Sequence, residues 1–537
     1  MSRSSRKRLV SIQTRDGDGA NGVRVRSRRR QAQLASSRKK RSHFALGERV
    51  AWTSPREILR AVPKIAWLCA LVACMNAVAW SLITPPFEVP DEPEHVAYVK
   101  QLAETGRLPT RYGSFSIEEE LALEDLHLQT VAEQPQNQTI SSQGQEEQLQ
   151  QDLARSRRLD EKGSEYAGVA ASEPPLYYAL QVIPYSLGSG STLLDRMELM
   201  RLLSAIIGGL TALFTFMFIR EALPGAPWAW TVGGLGVALV PLLGFMSGAV
   251  NPDAMLYAVT AALFYCLARA FRCGLTRARA ISIGSVIAIG FMTKLNFVGI
   301  APGALVGLAV LSARARRTIG SAAYASLAMA LAIALSPPAV YVIAHLASGA
   351  HTLGIVSSAL HVARGSLWSR VSYIWQLYLP KLPGMHADFA GVFTTRQIWF
   401  DWYVGQYGWL DTGFPGWVED LALIPAAAIA ALCVRSLVAG RRVLRARAAE
   451  LAVYGAMSVG LLVLIGMDSY LTFPRLGAEF GQLRYVLPLI PLLGAALALA
   501  ARGAGRRWGP VVGVLVITLF LAHDLLSQLQ VVARFYG

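Results

Sequence analysis

Long apolar runs dominate the chain beyond residue 60. A run of about 17 to 25 apolar residues is long enough to cross the hydrocarbon core of a bilayer as a helix. We predict about eleven such spans, at 63–85, 202–219, 228–248, 254–270, 280–293, 296–312, 319–346, 419–438, 449–468, 484–501 and 509–530. The pattern therefore predicts an all-α polytopic membrane protein.

Two long polar segments separate these runs. They are 86–201 and 347–418, and we expect them to form the first and fourth outward-facing loops. The apolar segment Leu176–Leu187 in the first loop is predicted to be a helix in the membrane interface, because counting it as a span would place every later basic loop outside. The stretch 129–151 is rich in Gln and low in complexity, which predicts a mobile insert.

The short loops set the orientation. Their basic clusters lie at 269–279, 314–317, 441–447 and 502–507. A single membrane topology puts all of these clusters on the same side as the N-terminal segment, as expected from the excess of Lys and Arg in cytoplasmic loops. We therefore expect a multi-pass protein of the bacterial inner membrane, with a cytoplasmic N-terminus and an outward C-terminus. The run 280–293 rises only about 21 Å, so the turn at Lys294 is expected below the outer surface.

The formal net charge of +16 belongs mostly to one end of the chain. Residues 1–60 hold 17 Lys and Arg against 4 Asp and Glu, whereas the whole chain is 53% hydrophobic and only 16% charged. This composition predicts a disordered cytoplasmic tail, which orients the first span and contacts anionic lipid rather than nucleic acid.

The five cysteines lie in or beside apolar runs, so neither a disulfide framework nor a metal–thiolate site is expected. No Walker or His-Glu-x-x-His sequence occurs, so an ATP-driven machine or a zinc protease is unsupported.

The most concentrated chemistry follows the first span, where the sequence reads Pro-Pro-Phe-Glu-Val-Pro-Asp-Glu-Pro-Glu-His. Pro90 and Pro93 restrict the backbone around Asp91 and Glu92, and Asp91 is positioned to cap a helix that begins near Pro93. Adjacent like charges should raise the pKa of one carboxylate, which suits a general base. Asp91, Glu92 and His95 are also candidate ligands for a divalent ion such as Mg²⁺ or Mn²⁺. The simpler alternative is a helix cap with solvated acids.

Few cations lie on the outward side, so each is informative. Lys294 sits in a short turn between spans, and Arg484 with Tyr485 opens a late span; these are candidates to bind a phosphate group. The alternatives are a snorkelling lysine and a surface anchor. The run Gly-Gln-Tyr-Gly-Trp-Leu-Asp contains Trp409 and Asp411 and is the candidate acceptor site, although tryptophans also form ordinary interface belts.

These motifs resemble the GT-C superfamily of polytopic membrane glycosyltransferases, and most closely the bacterial membrane family called domain of unknown function 2142. The resemblance covers about 80–535 apart from the Gln-rich insert, and makes 61–535 a GT-C-like transmembrane domain. It is carried by an acidic PDEPEH, a SEPPLYY, an NPDAM, a GWLD and an RY before a late span, at 90–95, 172–178, 251–255, 408–411 and 484–485.

The resemblance implies a transferase that uses a polyprenyl-phosphate-linked sugar on the outer membrane face and an envelope glycan, lipid or protein as acceptor. It implies that Asp91, with Glu92 as its partner, is the catalytic base or holds a metal, depending on the subfamily. It also implies that Asp253, with Asn251 beside it, forms a second acidic motif at the substrate. Glu173 replaces the lysine that precedes the PPL element of aminoarabinose transferases, which puts that donor in doubt.

Two other functions remain open from the sequence. The outer acids and Lys294 would also suit a transporter or flippase of lipid-linked glycans, although the internal repeats typical of transporters are not evident. The large outer loops would also suit a non-catalytic assembly protein for envelope polysaccharide. An enzyme requires Asp91, Glu92, Asp253 and either Lys294 or Arg484 to converge on one outward cavity with a lipid-sized groove. A transporter requires a continuous path between the two faces.

Overall fold

The computed structural model describes residues 61–110, 113–125, 143–156, 163–164, 166–347, 366–385, 393–476 and 481–536. The predicted basic tail, the first part of the Gln-rich insert and the segment 348–365 of the fourth loop lie outside the described residues. All described residues belong to the larger of two compact units, Glu57–Gly537.

The described residues form an almost entirely helical structure. Its α-helices are α1 Lys64–Ile83, α2 Glu92–Thr105, α3 Ile117–Asp125, α4 Gln143–Ser156, α5 Leu176–Leu187, α6 Leu193–Ala222, α7 Pro227–Ala238, α8 Pro241–Ser247, α9 Asp253–Cys273, α10 Arg277–Thr293, α11 Phe297–Ile319, α12 Ala322–Ala347, α13 Leu367–Tyr378, α14 Trp402–Gly405, α15 Gly416–Ala439, α16 Arg441–Ala446, α17 Ala448–Leu476, α18 Ile490–Gly503 and α19 Gly505–Tyr536. Short 3₁₀ helices at Gly168–Ser172 and Leu483–Leu489 and a π-helical turn at Gln397–Asp401 complete them. Two strands of two residues each, β1 Gln406–Tyr407 and β2 Thr412–Gly413, form a small antiparallel hairpin.

The helices agree with the predicted spans in position. Within the described ranges, nine helices are long and apolar enough to cross a membrane, and the pair α7 and α8, bent by 57°, makes up to ten. The bend falls where Pro241 begins α8, because proline lacks an N–H and cannot continue the preceding helix. The remaining predicted span, 280–293, corresponds to α10, which has 17 residues and rises about 26 Å. The exact count of eleven is therefore not confirmed.

Two short helices of the first loop support the site. Helix α5 has the predicted bounds, and its 12 residues rise about 18 Å, too short to cross a bilayer. Helix α4 covers 143–151 of the stretch predicted to be a mobile insert, so this part of the stretch is helical. The physical reason is the spacing of Leu149 and Leu153, which places both on one helix face, where they are fully buried.

The first span packs closely on α6 and on the broken pair α7 and α8, which fixes the loop that follows it. Gly209 on α6 lies against the backbone of α1, and a Cβ at this position would be 2.8 Å from the carbonyl oxygen of Ala70. Gly208 faces Ser247 in the same way. Close approach of the backbones explains the small residues here, as is usual for helices packed in membranes.

Candidate functional site

The loop between α1 and α2 carries the acidic motif on a strained backbone. Helix α2 begins at Glu92 with Pro93 in its first turn, as the sequence predicts. Phe87 and Asp91 have φ angles of 64° and 65°, which are uncommon for residues other than glycine and cluster at functional sites. Asp91 precedes the helix, but its carboxylate makes no capping hydrogen bond. The predicted helix cap is therefore wrong, because this carboxylate bonds to a different partner.

Glu92 is fully buried and holds the loop together. Arg201 on α6 donates to both of its carboxylate oxygens, from Nε at 2.8 Å and from Nη2 at 2.5 Å. The backbone N–H groups of Val250 and Phe87 donate to the same oxygens at 2.9 and 3.1 Å. The guanidinium also donates to three carbonyl oxygens around the end of α1. These contacts make Glu92 an anchor of the loop, and they do not support its predicted role as the catalytic partner of Asp91.

The partner of Asp91 is Arg484, which lies 393 residues further along the chain. Arg484 Nη2 is 2.5 Å from Asp91 Oδ2, and Nη1 donates to the carbonyl oxygen of Pro90 at 3.2 Å. The Arg484 side chain is 4% exposed and the Asp91 side chain 28% exposed. Asp91 is therefore the solvent-accessible edge of a largely buried ion pair.

A second buried ion pair lies beside the first. Lys294, in the turn between α10 and α11, places Nζ 2.8 Å from Asp253 Oδ1 at the start of α9. The Tyr485 ring joins the two pairs, with its centroid 6.0 Å from Lys294 Nζ and 5.0 Å from the Arg484 guanidinium carbon. Tyr485 also accepts a hydrogen bond from Arg484 Nη2 at 3.1 Å. These distances bring five of the predicted site residues together, Asp91, Asp253, Lys294, Arg484 and Tyr485.

Asn251 connects the second acidic motif to the first loop. Its Oδ1 accepts from the backbone N–H of Asp253 at 3.0 Å, and its Nδ2 donates to the carbonyl oxygen of Pro90 at 3.3 Å. The amide side chain is fully buried. Asn251 is thus a positioning residue that holds Asp253 next to the Asp91 loop.

The third wall of the site comes from α2 and the segment before α5. His95 Nδ1 is hydrogen-bonded to the Tyr178 hydroxyl at 3.0 Å, and Tyr98 stacks on Tyr178 with ring centroids 3.6 Å apart. Glu173 Oε2 accepts from the backbone N–H of Leu295 at 2.8 Å, the residue after Lys294. We refer to Asp91, Asp253, Glu173, Lys294 and Arg484 as the charge cluster.

The charge cluster shifts the pKa values of Asp91 and His95. Burial pushes the pKa of Asp91 upward, but the positive charges of Arg484 and Lys294 outweigh it and leave the pKa below its ordinary value. Burial, together with the charge of Lys294, lowers the pKa of His95 to about 3, so this imidazole is neutral at pH 7. The rise in pKa predicted for one carboxylate of the adjacent pair therefore does not occur at Asp91. Its neighbour Glu92 is neutralised by Arg201, and a cation contacts Asp91 instead.

The candidate metal site is not supported by the arrangement of side chains. In the part of the chain that the structure describes, no group of three or more His, Cys, Asp or Glu residues is arranged to hold a metal ion. Asp91 and Glu92 bond to arginines, and His95 bonds through Nδ1 to a tyrosine. The three side chains proposed as ligands for Mg²⁺ or Mn²⁺ are thus engaged separately.

Trp409 and Asp411 lie near the acidic loop but outside the charge cluster. Trp409 Nε1 donates to the carbonyl oxygen of Phe87 at 3.2 Å. Asp411 Oδ2 is 3.0 Å from Arg534 Nη2 near the end of α19. Together, these contacts attach the β1–β2 hairpin to the acidic loop and to the last helix.

Glu88 is a buried acid that the sequence reasoning did not single out. It is 0% exposed, and neither carboxylate oxygen has a hydrogen-bond partner among the described residues. Burial, and then the charge of Asp411, raise its pKa to about 8, although Arg534 opposes this. Its position three residues before Asp91 was the only available signal, because the acids of one loop cannot be sorted into buried and exposed without the fold.

A small, mostly apolar pocket lies beside Arg484. Its volume is about 20 Å³, which is room for roughly one water molecule. The lining comes from the acidic loop, the broken span, the hairpin and the start of the late span, and consists of Pro90, Leu242, Phe245, Met246, Trp402, Gln406, Gly408, Leu410, Gln482, Leu483 and Arg484. Arg484 therefore belongs both to the lining of this pocket and to the charge cluster.

The fold and the site define the chain as a polytopic α-helical membrane protein with a buried charge cluster at one end of its helices. The chain belongs to the DUF2142 family of predicted membrane proteins, whose family model matches residues 74–493. This match confirms the family that the sequence motifs indicated. Among curated protein sequences, none matches the chain.

Solved structures similar to the chain include two of ArnT from Cupriavidus metallidurans. The apo state is 14% identical with a TM-score of 0.41, and the alignment covers 80% of this chain and 59% of that one. The structure bound to undecaprenyl phosphate is also 14% identical with a TM-score of 0.41, covering 87% and 75%. The apo oligosaccharyltransferase of Archaeoglobus fulgidus is 12% identical with a TM-score of 0.40, covering 87% and 56%. The chain thus spans less than two thirds of the length of two of these three.

Proposed function

We propose that this protein is a GT-C-type glycosyltransferase that moves a sugar from a polyprenyl-phosphate donor to an envelope glycan, lipid or protein on the outer face of the bacterial inner membrane. The observation that carries the proposal is the convergence of Asp91, Arg484, Asp253 and Lys294 around Tyr485. Two cations beside a partly exposed carboxylate provide both the charges and the base that such a transfer needs.

In the proposed mechanism, the phosphate of the donor displaces carboxylates from the two cations. Its oxygens take hydrogen bonds from Arg484 and Lys294, which now face an additional anion. Asp91 then loses part of the positive charge that keeps its pKa low, so its affinity for a proton rises when the donor is in place. Substrate binding thereby activates the base. In the free protein, Asp91 stays in its ion pair with Arg484.

The transfer itself balances without a nucleotide. Asp91 accepts the proton of the acceptor hydroxyl, and the hydroxyl oxygen forms a bond to the anomeric carbon. The bond between that carbon and the phosphate oxygen breaks, and its electron pair leaves with the polyprenyl phosphate. Arg484 and Lys294 stabilise the second negative charge of the leaving phosphate, and a single displacement inverts the anomeric configuration.

The experiment is sugar transfer by the purified protein with a polyprenyl-phosphate sugar and a pool of envelope acceptors. Asp91→Asn should lower the transfer rate by about 10²- to 10⁴-fold, the usual contribution of a general base. Binding of the donor should persist, because both cations remain. Glu120→Gln is the matched control, since Glu120 is an exposed acid of the same loop. Turnover by Asp91→Asn at the rate of the control would refute the assignment of the base.

A further inference from the structure

The charge cluster contains one more carboxylate than cations. Asp91 is paired with Arg484 and Asp253 with Lys294, one to one. Glu173 is the third carboxylate, and its Oε2 accepts a hydrogen bond from a backbone N–H rather than from a charged group. Carboxylates removed from water are costly unless they are paired or protonated. Glu173 is thus the least compensated acid of the cluster.

Among the described residues, Lys294 is the cation that acts most strongly on Glu173. The charged groups that act on it are Lys294, Asp253 and Asp91, and the remaining titratable neighbours are the hydroxyls of Tyr98, Tyr178 and Tyr341. Burial raises the pKa of Glu173 above its ordinary value, because Lys294 and the N–H of Leu295 offset the cost of desolvation only in part.

Binding of an anionic donor makes this imbalance worse. The phosphodiester of a lipid-linked sugar brings one negative charge, so the site would hold four anions against the two cations Lys294 and Arg484. Protonation of one acid removes one of these charges, and the acid with the weakest compensation takes the proton at the lowest cost. The neutral acid also gains an O–H that can donate a hydrogen bond to a sugar or phosphate oxygen.

We propose that Glu173 takes up one proton when the donor binds, so that the protein binds its lipid phosphodiester together with a proton. This inference rests on the proposed function, because it assumes that the phosphate lies between Lys294 and Arg484. Glu173 is a positioning residue in this scheme, because its protonation removes one negative charge from the site that binds the phosphate. The proton of the acceptor hydroxyl still goes to Asp91.

The test is the pH dependence of binding, measured with a polyprenyl methyl phosphodiester. This probe carries one fixed negative charge from pH 5.5 to 9, so the ligand itself does not titrate. The dissociation constant is measured by calorimetry with the full-length protein in lipid nanodiscs, and it should rise with pH. The slope of this rise should approach about tenfold per pH unit, which is the limit for uptake of one proton. Repeating the titration in buffers of different ionisation enthalpy counts the proton directly.

Glu173→Gln should bind the phosphodiester with the same affinity across this range, because the amide is a permanent neutral substitute for the protonated acid. Glu120→Gln should keep the wild-type slope, and thermal unfolding identifies any variant that does not fold. A slope that persists in Glu173→Gln, or is absent from the wild-type protein, overturns the inference while the proposed function stands. Failure of the phosphodiester to bind at any pH overturns both the proposed function and this inference.

Discussion

The carboxylate of Glu92 offers the clearest separation of structural and catalytic roles, because it is adjacent to the proposed base. Glu92→Gln replaces one acceptor oxygen with an NH₂ group that faces the donors of Arg201 and of a backbone N–H. The substitution leaves a buried guanidinium without its counter-charge, since the Arg201 side chain is 2% exposed and that of Glu92 is 0% exposed. Removing one partner of a buried ion pair costs about 3–5 kcal/mol, so we expect a loss of stability of that size.

The assay is reversible unfolding in mixed micelles of mild and denaturing detergent, with Asp91→Asn as the neighbouring comparison. Asp91→Asn also leaves a buried arginine without its counter-charge, since Arg484 is 4% exposed, but this pair reaches solvent at Asp91, whose side chain is 28% exposed. Its substitution should therefore cost less stability than the substitution of Glu92. The refolded Glu92→Gln protein, measured at a temperature where it is fully native, should retain transfer activity within about tenfold. Wild-type stability combined with a complete loss of transfer would show that Glu92 belongs to the chemistry and would refute this reasoning.

The remaining predictions concern Glu88 in the acidic loop and the ion pair between Asp411 and Arg534. Because burial and Asp411 raise the pKa of Glu88 from 4.5 to about 8, the native protein retains a proton that the unfolded chain loses. The contribution of Glu88 to stability should therefore be fully present below pH 4.5 and fall as the pH rises to about 8, by up to roughly 5 kcal/mol. Glu88→Gln should remove this part of the pH dependence in unfolding curves recorded between pH 5 and 9, and an unchanged curve would contradict the assignment. Arg534→Met should destabilise by about 3–5 kcal/mol because it strands the buried carboxylate of Asp411. Adding Asp411→Asn should restore part of that loss, and additive effects in the double-mutant cycle would show that the pair is not coupled.

Much of the helical framework could be predicted from the sequence, because apolar runs of bilayer length require helices whatever their neighbours are. The bounds of α5 are those predicted, and the short helix before the turn at Lys294 is also where the sequence indicated it. The family assignment depended on short motifs whose order along the chain is visible without a structure. The helix within the Gln-rich stretch was missed because its composition is polar, and only burial of Leu149 and Leu153 against the rest of the loop stabilises it.

The roles of the two adjacent acids could not be predicted from their spacing. Asp91 and Glu92 are equivalent in sequence, but the left-handed backbone at Asp91 precedes a helix that carries Glu92, and the two carboxylates meet different arginines. Arg484 lies 393 residues from Asp91 and Arg201 lies 109 residues from Glu92. Such partners are chosen by helix packing, which is a property of the whole fold.

The sequence by itself determined that this chain is a multi-spanning helical membrane protein with its acids concentrated after the first span, because hydrophobic length and local composition are sufficient for both. Only the tertiary structure decided which acid is paired with Arg484 and which one anchors the loop on Arg201. It also decided that the buried Glu88 and the partly buried Glu173 have no ion-pair partner among the described residues. The physical reason is that the charge state of a carboxylate depends on the groups within a few ångströms, and in this protein those groups come from distant parts of the chain.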